Sequence, residues 1–356
     1  MSRFLSEKFS DLEEYVPGEQ PQDIKYIKLN TNESPFEPSQ KVIEAINREE
    51  ISDLRLYCDP DCKKLKAKLA ETYSVKPENV FLSNGSDDIL NFAFMAYAEK
   101  GAVYPDITYG FYQVFAQLHG VNSRIVPLKK DFTIDKDAFK GQTGLVVIAN
   151  PNAPTGIALK LDEIEELIKS NPKAVVLIDE AYVDFGGESA CRLTEKYDNL
   201  LVCQTFSKSR SLAGGRLGFA IAHKDIIADL EKIKYSTNPY NINRLTQVAG
   251  LATLCDDDYY KENCRKIIEN RKFTKIELEK LDFEVLDSKA NFVFAKSDKI
   301  SGQDLYIKLK EKGVLIRHFT NERISEYNRI TIGTIKQMKE LISKVKEILG
   351  EKNENS

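Results

Sequence analysis

The chain has 356 residues, and its 51 Lys and Arg against 55 Asp and Glu give a formal net charge of −4. Hydrophobic residues make up 42% of the sequence and charged residues 30%, which excludes disordered, collagen-like and low-complexity chains. No Lys- and Arg-rich run offers a surface for nucleic acid or for an anionic membrane, so we expect small-molecule partners.

Residues 1–15 are rich in charge and lack the apolar stretch of a signal peptide, so we expect a cytoplasmic protein with reduced thiols. The longest uncharged stretch, residues 141–159, is interrupted by Asn and Pro and cannot span a bilayer. Three histidines and six scattered cysteines give no ligand spacing typical of a metal site, so we expect none.

The elements fall into three successive segments. Residues 1–35, broken by Pro17-Gly18 and Ser34-Pro35, predict an arm and connector. Residues 36–255 alternate short apolar runs with helical patterns, which indicates βαβ units and a mostly parallel sheet buried on both faces. The predicted strands lie at 80–82, 144–149, 175–178 and 200–205, with helices over 86–97, 109–118 and 162–170.

Beyond residue 255 the pattern changes to helices grouped with short strands. The predicted helices cover 259–281, 303–312 and 336–349, and an alternating strand covers 291–295. We therefore predict a large α/β domain over 36–255 and a small α+β domain over 256–356.

Two chemically distinctive residues follow buried strands. Asp179 ends the strand over 175–178, at the sheet edge where ligands bind in open α/β sheets. Such a carboxylate needs a cation or hydrogen-bond donors around it. The donors could be no more than the backbone amides of the following loop, in which case Asp179 would have only a structural role. Lys208 follows the next strand in a Ser- and Gly-rich turn, where a desolvated amine can attack carbonyls, although most lysines are simply exposed.

Two segments could hold a phosphate. The first comprises Ser207, Ser209 and Arg216, with glycines beside Arg216, and the second comprises Gly85, Ser86 and Asp87 between a strand and a helix start. Ser86 or Asp87 could instead be no more than a helix cap. Residues 214–218 lack the spacing of a dinucleotide fingerprint, so the motifs do not favour NAD.

Together these motifs resemble the fold-type I pyridoxal-phosphate aminotransferases. The resemblance is carried by Pro154-Thr155-Gly156, Asp179-Glu180-Ala181-Tyr182, Ser207-Lys208 and Leu212-Ala213-Gly214-x-Arg216-x-Gly218. Residues 15–18, 29–36 and 55–57 further resemble the histidinol-phosphate aminotransferases, and the likeness extends to residues 329–334. It implies transamination of L-histidinol phosphate with 2-oxoglutarate in histidine biosynthesis, with pyridoxal phosphate as cofactor.

The resemblance also implies a role for each site residue. Lys208 would hold the cofactor covalently and then move a proton, Asp179 would pair with the ring nitrogen, and Tyr109 would stack on the ring. Tyr182 would bond the ring oxygen, and Tyr57 would reach the site of a second subunit, which implies a homodimer with shared active sites. The residues expected around the cofactor phosphate are Gly85, Ser86, Asp87, Thr205, Ser207 and Arg216, and those expected to bind substrate are Tyr15, Asn32, Arg317 and Arg329.

One position departs from the family pattern. The residue before Pro154-Thr155-Gly156 is usually Asn, which bonds the cofactor's ring oxygen, and here it is Ala153. Either Asn152 supplies that bond from one position earlier or Tyr182 supplies it alone, and we predict Asn152.

Three alternative functions keep the same fold. The chain could be an aromatic or broad-specificity aminotransferase, or an enzyme similar to threonine-phosphate decarboxylase. It could also be a cofactor-binding regulator without catalysis, but such regulators carry a DNA-binding region, for which the 35 residues before the large domain leave no room. Lys208 and Asp179 are both present, which favours an enzyme.

Overall fold

A computed structural model of the chain describes residues 5–6, 9 and 11–350. The predicted arm over 1–35 and the predicted small domain over 256–356 therefore extend in part outside the described residues.

A seven-stranded sheet forms the centre of the larger part of the molecule. Its strands are β2 Val80–Ser83, β3 Ala102–Pro105, β4 Ser123–Val126, β5 Leu145–Ala149, β6 Val175–Asp179, β7 Leu200–Thr205 and β8 Gly218–Ala222. Their order in space is β2-β8-β7-β6-β5-β3-β4. Strand β8 is antiparallel to β2 and β7, whereas the other neighbouring pairs are parallel. The predicted mostly parallel sheet is confirmed, and β3, β4 and β8 are strands that the prediction lacked.

Helices cover both faces of this sheet, because its central strands are mostly apolar and are buried at all but one of their positions. They are α1 Gln40–Ala45, α2 Arg48–Ser52, α3 Lys63–Tyr73, α4 Ser86–Tyr97, α5 Phe111–His119, α6 Leu161–Ser170, α7 Lys224–Thr237 and α8 Arg244–Leu254. Val176 and Ile178 face a core shared with α3, α6 and α8, while Leu177 faces the core shared with α4, α5 and α7. No helix in the described residues is both long and apolar enough to cross a bilayer.

The C-terminal part has its own sheet and core. Its elements are α9 Asp257–Glu279, β9 Phe283–Val285, β10 Phe292–Ser297, α10 Gly302–Glu311, β11 Val314–Leu315, β12 Arg317–His318, β13 Asn328–Thr331 and α11 Ile335–Leu349. An antiparallel sheet of order β12-β13-β10-β9 packs against α9, α10 and α11. The short strand β1, Ile27–Lys28, pairs in parallel with β11, so the N-terminal connector contacts this part. The domain bounds at 35/36 and 255/256 stay a prediction.

The carboxyl ends of the central strands place the predicted site residues at one edge of the sheet. Ala149 at the end of β5 is in register with Asp179 at the end of β6, and Asp179 is in register with Cys203 of β7. The segments that follow these strands therefore meet at the same edge of the sheet, together with the N-terminus of α4, which follows β2.

Candidate active site

Two adjoining cavities lie at the carboxyl edge of the large sheet, and Lys208, Tyr109 and Tyr182 line both. The aspartate cavity, named for Asp179, measures about 350 Å³. The arginine cavity, named for Arg317 and Arg329, measures about 410 Å³. The aspartate cavity is lined by Ser86, Asp87, Tyr109, Asp179, Tyr182, Thr205, Ser207, Lys208 and Arg216, and the arginine cavity adds Tyr15, Asn32, Arg317 and Arg329.

Lys208 lies where the two cavities meet. Its Nζ donates to the carbonyl of Thr31 at 3.2 Å and lies 5.7 Å from the centre of the Tyr182 ring. The turn that carries it is fixed by its neighbours, since Ser209 Oγ donates to the Asp184 carboxylate and the Ser207 N–H donates to Thr205 Oγ1 at 3.1 Å. A small molecule in either cavity is therefore within reach of the same amine.

Asp179 is a buried carboxylate that faces the aspartate cavity. Its Oδ2 accepts a hydrogen bond from the Tyr112 hydroxyl at 2.8 Å, and its Oδ1 accepts one from the Ala181 N–H at 3.2 Å. Burial raises the pKa of Asp179 to about 6, because both donors are neutral and Lys208 lowers it only through space. The carboxylate thus lies at the cavity wall with two neutral donors and without an ion pair to a side chain of the described residues.

One end of the aspartate cavity can bind an anion, and we call its residues Ser86, Ser207 and Arg216 the cradle. Ser86 begins α4, so the free N–H groups of its first turn are at hand. Arg216 Nη2 lies 3.1 Å from Asp87 Oδ2, and Thr205 Oγ1 lies 2.9 Å from Ser207 Oγ. Asp87 itself repels an anion, so the contribution of its side chain is to orient Arg216.

Tyrosine rings form the walls between the cavities. The Tyr109 hydroxyl donates to Asp87 Oδ1 at 2.8 Å, which fixes that ring beside the cradle. The Tyr182 hydroxyl accepts from Asn32 Nδ2 at 3.0 Å, and Asn32 Oδ1 accepts from Thr331 Oγ1 at 2.9 Å. Asn32 therefore acts on Tyr182 as well as lining the arginine cavity.

The arginine cavity contains two guanidinium groups bonded to backbone carbonyls. Arg329 Nη2 donates to Asn30 O at 2.9 Å, while its buried Nε has no partner among the described residues. Burial lowers the pKa of Arg329. Arg317 donates to the carbonyls of Val16 and Pro17, each at 3.1 Å. Neither group is neutralised by these contacts, so this cavity suits an anionic group of a substrate.

The arm covers the arginine cavity. The Tyr15 ring stacks on Phe111 with centroids 4.2 Å apart and contacts Tyr109 edge-on at 6.0 Å. The Glu13 N–H donates to Gln117 Oε1 at 3.3 Å, so the arm runs from α5 towards Arg317.

Asn152 and Tyr57, both predicted site residues, lie away from the cavities. Asn152 is buried in its own turn, where its Nδ2 donates to Ile107 O and Thr155 Oγ1, both at 3.0 Å, and its Oδ1 accepts from Thr108 Oγ1 at 2.9 Å. This geometry does not support Asn152 as the donor to the cofactor, because Ala153 and not Asn152 lines both cavities. Tyr57 is 81% exposed and stacks on Tyr240, so it does not reach the site of its own chain.

Gly85 and Tyr112 act from behind the cavity wall. Gly85 does not line a cavity, but its missing side chain allows the close approach of Arg216, and Gly218 of β8 in turn allows the backbone of Gly85 to lie close to that strand. Tyr112 was not predicted: it looks like a core aromatic on α5, and its hydroxyl bonds a carboxylate 67 residues away. The one signal for this role is that Tyr112, and not a phenylalanine, occupies a fully buried position, because a buried tyrosine hydroxyl usually has a hydrogen-bond partner.

The aspartate cavity fits pyridoxal phosphate on this geometry. Asp179 is a buried carboxylate with only neutral donors, which a protonated ring nitrogen would complete. The cradle of Ser86, Ser207 and Arg216 suits its phosphate, and Lys208 lies beside both.

Comparison with known proteins agrees with this geometry. The family model described as "Aminotransferase class I and II" matches residues 24–345. The histidinol-phosphate aminotransferase of Brachyspira hyodysenteriae is 51% identical over 352 residues, which is 98% of this chain and 99% of the relative.

Solved structures share the fold. The histidinol-phosphate aminotransferase of Clostridium acetobutylicum superposes with a TM-score of 0.84 at 25% identity, covering 91% of this chain and 99% of the other. That of Sinorhizobium meliloti, solved with pyridoxal-5'-phosphate, has a TM-score of 0.82 at 24% identity and covers 92% of each chain. The chain therefore belongs to the class I and II aminotransferase family and, within it, to the histidinol-phosphate aminotransferases.

Proposed function

We propose that this chain transfers the amino group of L-histidinol phosphate to 2-oxoglutarate, giving 3-(imidazol-4-yl)-2-oxopropyl phosphate and L-glutamate, in histidine biosynthesis. The observation that carries the proposal is the position of Lys208, which lines both the cavity with the buried carboxylate and the cavity with the two arginines. A cofactor in the first and a phosphorylated amine in the second would meet at its Nζ.

The residues of the aspartate cavity have complementary tasks in this proposal. Pyridoxal phosphate supplies, when bound, the electron sink that makes the hydrogen on the substrate's amine-bearing carbon acidic. Asp179 holds a proton on the ring nitrogen by its negative charge, and Arg216, Ser207 and the first turn of α4 hold the phosphate.

Lys208 is the proposed acid and base. With the cofactor bound, its Nζ would take the proton from the amine-bearing carbon of the substrate and deliver it to the C4′ carbon of the cofactor, which needs a free amine held at the junction of the cavities. The Thr31 carbonyl at 3.2 Å can orient that amine, because a carbonyl accepts without supplying a competing proton.

The arginine cavity is the proposed substrate site. Arg329 and Arg317 present guanidinium groups that can bond phosphate or carboxylate through two parallel N–H groups. Tyr15 and Asn32 line the same space and are proposed to contact the substrate. The same anchors would receive the carboxylate of 2-oxoglutarate in the second half of the reaction.

We assign the bond to the cofactor's ring oxygen to Tyr182 alone. Support comes from the position of Tyr182, which lines both cavities and whose hydroxyl is held by Asn32. The hydroxyl keeps its own proton to donate, since Asn32 Nδ2 is the donor in that pair.

We further propose a homodimer with shared active sites, working in the cytoplasm. Tyr57 is exposed, and so are other apolar side chains in the segment 43–57, which a second copy of the chain would cover. These side chains, all about half exposed, are Ile43, Ile51, Leu54 and Leu56. All six cysteines are free thiols, as the reducing cytoplasm would keep them.

Mixing two inactive variants tests the shared site. Dimers formed from Lys208→Ala and Tyr57→Ala chains contain one doubly altered site and one intact site, so mixing after denaturation should restore about a quarter of the wild-type activity. If the two variants regain no activity although dimers form, Tyr57 does not serve the partner's site.

Substrate choice tests the function itself. In one assay, kcat/KM should be highest for histidinol phosphate, lower for phenylalanine and lowest for phosphothreonine. A preference for phenylalanine would indicate an aromatic aminotransferase, and release of carbon dioxide from phosphothreonine would indicate a decarboxylase. Either result would overturn the proposal.

A further inference from the structure

We propose that Tyr112 is a positioning residue, which holds the Asp179 carboxylate ionised and aimed at the ring nitrogen of the cofactor. Its hydroxyl donates to Asp179 Oδ2 at 2.8 Å. The inference rests on the proposed function only in requiring pyridoxal phosphate, and not on the identity of the substrate.

The carboxylate is fixed at both oxygens. The Ala181 N–H holds Oδ1 at 3.2 Å, while Tyr112 holds Oδ2, so rotation of the carboxylate would break one of the two bonds. Tyr112 is fully buried and Asp179 is 5% exposed. If the phenol hydroxyl is removed, a water molecule could take its place only by opening the core.

Tyr112 is itself held in place. Its ring contacts Tyr104 edge-on at 6.0 Å and Tyr109 at 5.8 Å with an interplanar angle of 87°. It lies in the first turn of α5, on the sheet face to which Leu177 of β6 points. The hydroxyl is therefore positioned before any cofactor enters.

A neutral donor suits this position for an electrostatic reason. The charged or titratable groups that act on Asp179 are Asp87, which opposes its ionisation, Lys208, which favours it, and Cys203 on the adjacent strand. A lysine or arginine in place of Tyr112 would satisfy the carboxylate but would neutralise the charge that the ring nitrogen needs. A phenol stabilises the ionised form and leaves its charge available.

The test removes only the hydroxyl. In Tyr112→Phe, the Kd for pyridoxal phosphate should rise about tenfold, as expected for a lost hydrogen bond to a charged group. The pH at which the visible absorbance band of the loaded enzyme titrates should move upward. The reason is that a ring nitrogen with less positive charge makes it easier for the lysine nitrogen attached to the cofactor to keep its own proton. Tyr104→Phe is the matched control, since it deletes a buried phenol from the same core.

A double-mutant cycle separates positioning from packing. In an Asp179→Asn background, Tyr112→Phe should change the cofactor Kd by less than about twofold, because the charge it serves is absent. The proposal is overturned if Tyr112→Phe matches Tyr104→Phe in Kd and in the titration of the band, or if its effect is unchanged by Asp179→Asn. None of these measurements uses histidinol phosphate, so failure of the proposed substrate would leave them unaffected.

Discussion

Gly85 leaves open the space that Arg216 occupies, since a Cβ on Gly85 would lie 2.6 Å from Arg216 Nη2. Gly85 also has φ +86°, a conformation that L side chains rarely adopt, immediately before Ser86 begins α4. The absence of a side chain therefore brings the guanidinium next to the free N–H groups of the helix, where a phosphate can bond to both.

Gly85→Ala should therefore weaken cofactor binding as well as destabilise the fold. We expect the Kd for pyridoxal phosphate to rise about tenfold or more as Arg216 is displaced, with about 1–3 kcal/mol of lost stability because the backbone conformation at this position is essentially restricted to glycine. Gly313→Ala is the control, since Gly313 has φ +79° but open space around its Cβ position. Equal Kd values for the two variants, measured by fluorescence titration, would refute the steric argument.

Asn152→Ala separates a structural role from a cofactor role. Its buried amide makes three bonds within the turn, so we expect the free energy of unfolding to fall by about 2 kcal/mol. The cofactor Kd should change by less than about twofold, because Ala153 and not Asn152 lines the cavities. A tenfold weaker Kd with unchanged stability would instead support Asn152 as the donor to the cofactor's ring oxygen.

Arg329→Gln should lower kcat/KM for histidinol phosphate about 100-fold, because a partly buried guanidinium that can anchor an anion is lost. Steady-state kinetics at saturating cofactor measures this, and the visible band should stay. Arg265→Gln is the control, since Arg265 forms exposed ion pairs with Glu262 and Glu269 on α9. A loss of less than about threefold for Arg329→Gln would remove it from the substrate site.

Asp179→Asn should stabilise the cofactor-free protein in a pH-dependent way. The folded-state pKa of Asp179, about 6, lies above its ordinary value of 3.8, so ionisation costs stability as the pH rises between these values. Above pH 6 the full cost is about 3 kcal/mol. Denaturant unfolding should show the variant more stable at pH 8 and equal to wild type near pH 4, and a gain that persists at pH 4 would exclude this cause.

Much of the fold could be predicted because apolar patterns and helix starts are local signals. Helix α4 begins at Ser86 and ends at Tyr97, as predicted from its Asn-Gly-Ser start and its apolar spacing. The predicted strands became β2, β5, β6 and β7. Strand β8 was missed because its Gly218 also completes a turn-like glycine motif, and strand direction has no signature in a short apolar run.

Apart from the residues that the family resemblance implies, the candidate site could be predicted only where chemically distinctive residues lie at strand ends. Asp179 and Lys208 are examples, since the strand geometry aims them at one edge. The orientation of the Asn152 side chain depends on which neighbouring groups its amide bonds, and those groups could not be inferred from the sequence. The hydrogen bond from Tyr112 to Asp179 joins residues 67 positions apart, so sequence spacing could not indicate it either.

The half-reactions test the central claim most directly. Wild-type enzyme loaded with pyridoxal phosphate and mixed with L-histidinol phosphate alone should lose its visible absorbance band, and 2-oxoglutarate should restore it with one glutamate released per site. Lys208→Ala should lack that band and show neither change, while Lys196→Ala, which removes an exposed lysine, should behave as wild type. A wild-type band that histidinol phosphate leaves unchanged, or a Lys208→Ala variant that keeps the full cycle, would contradict the account.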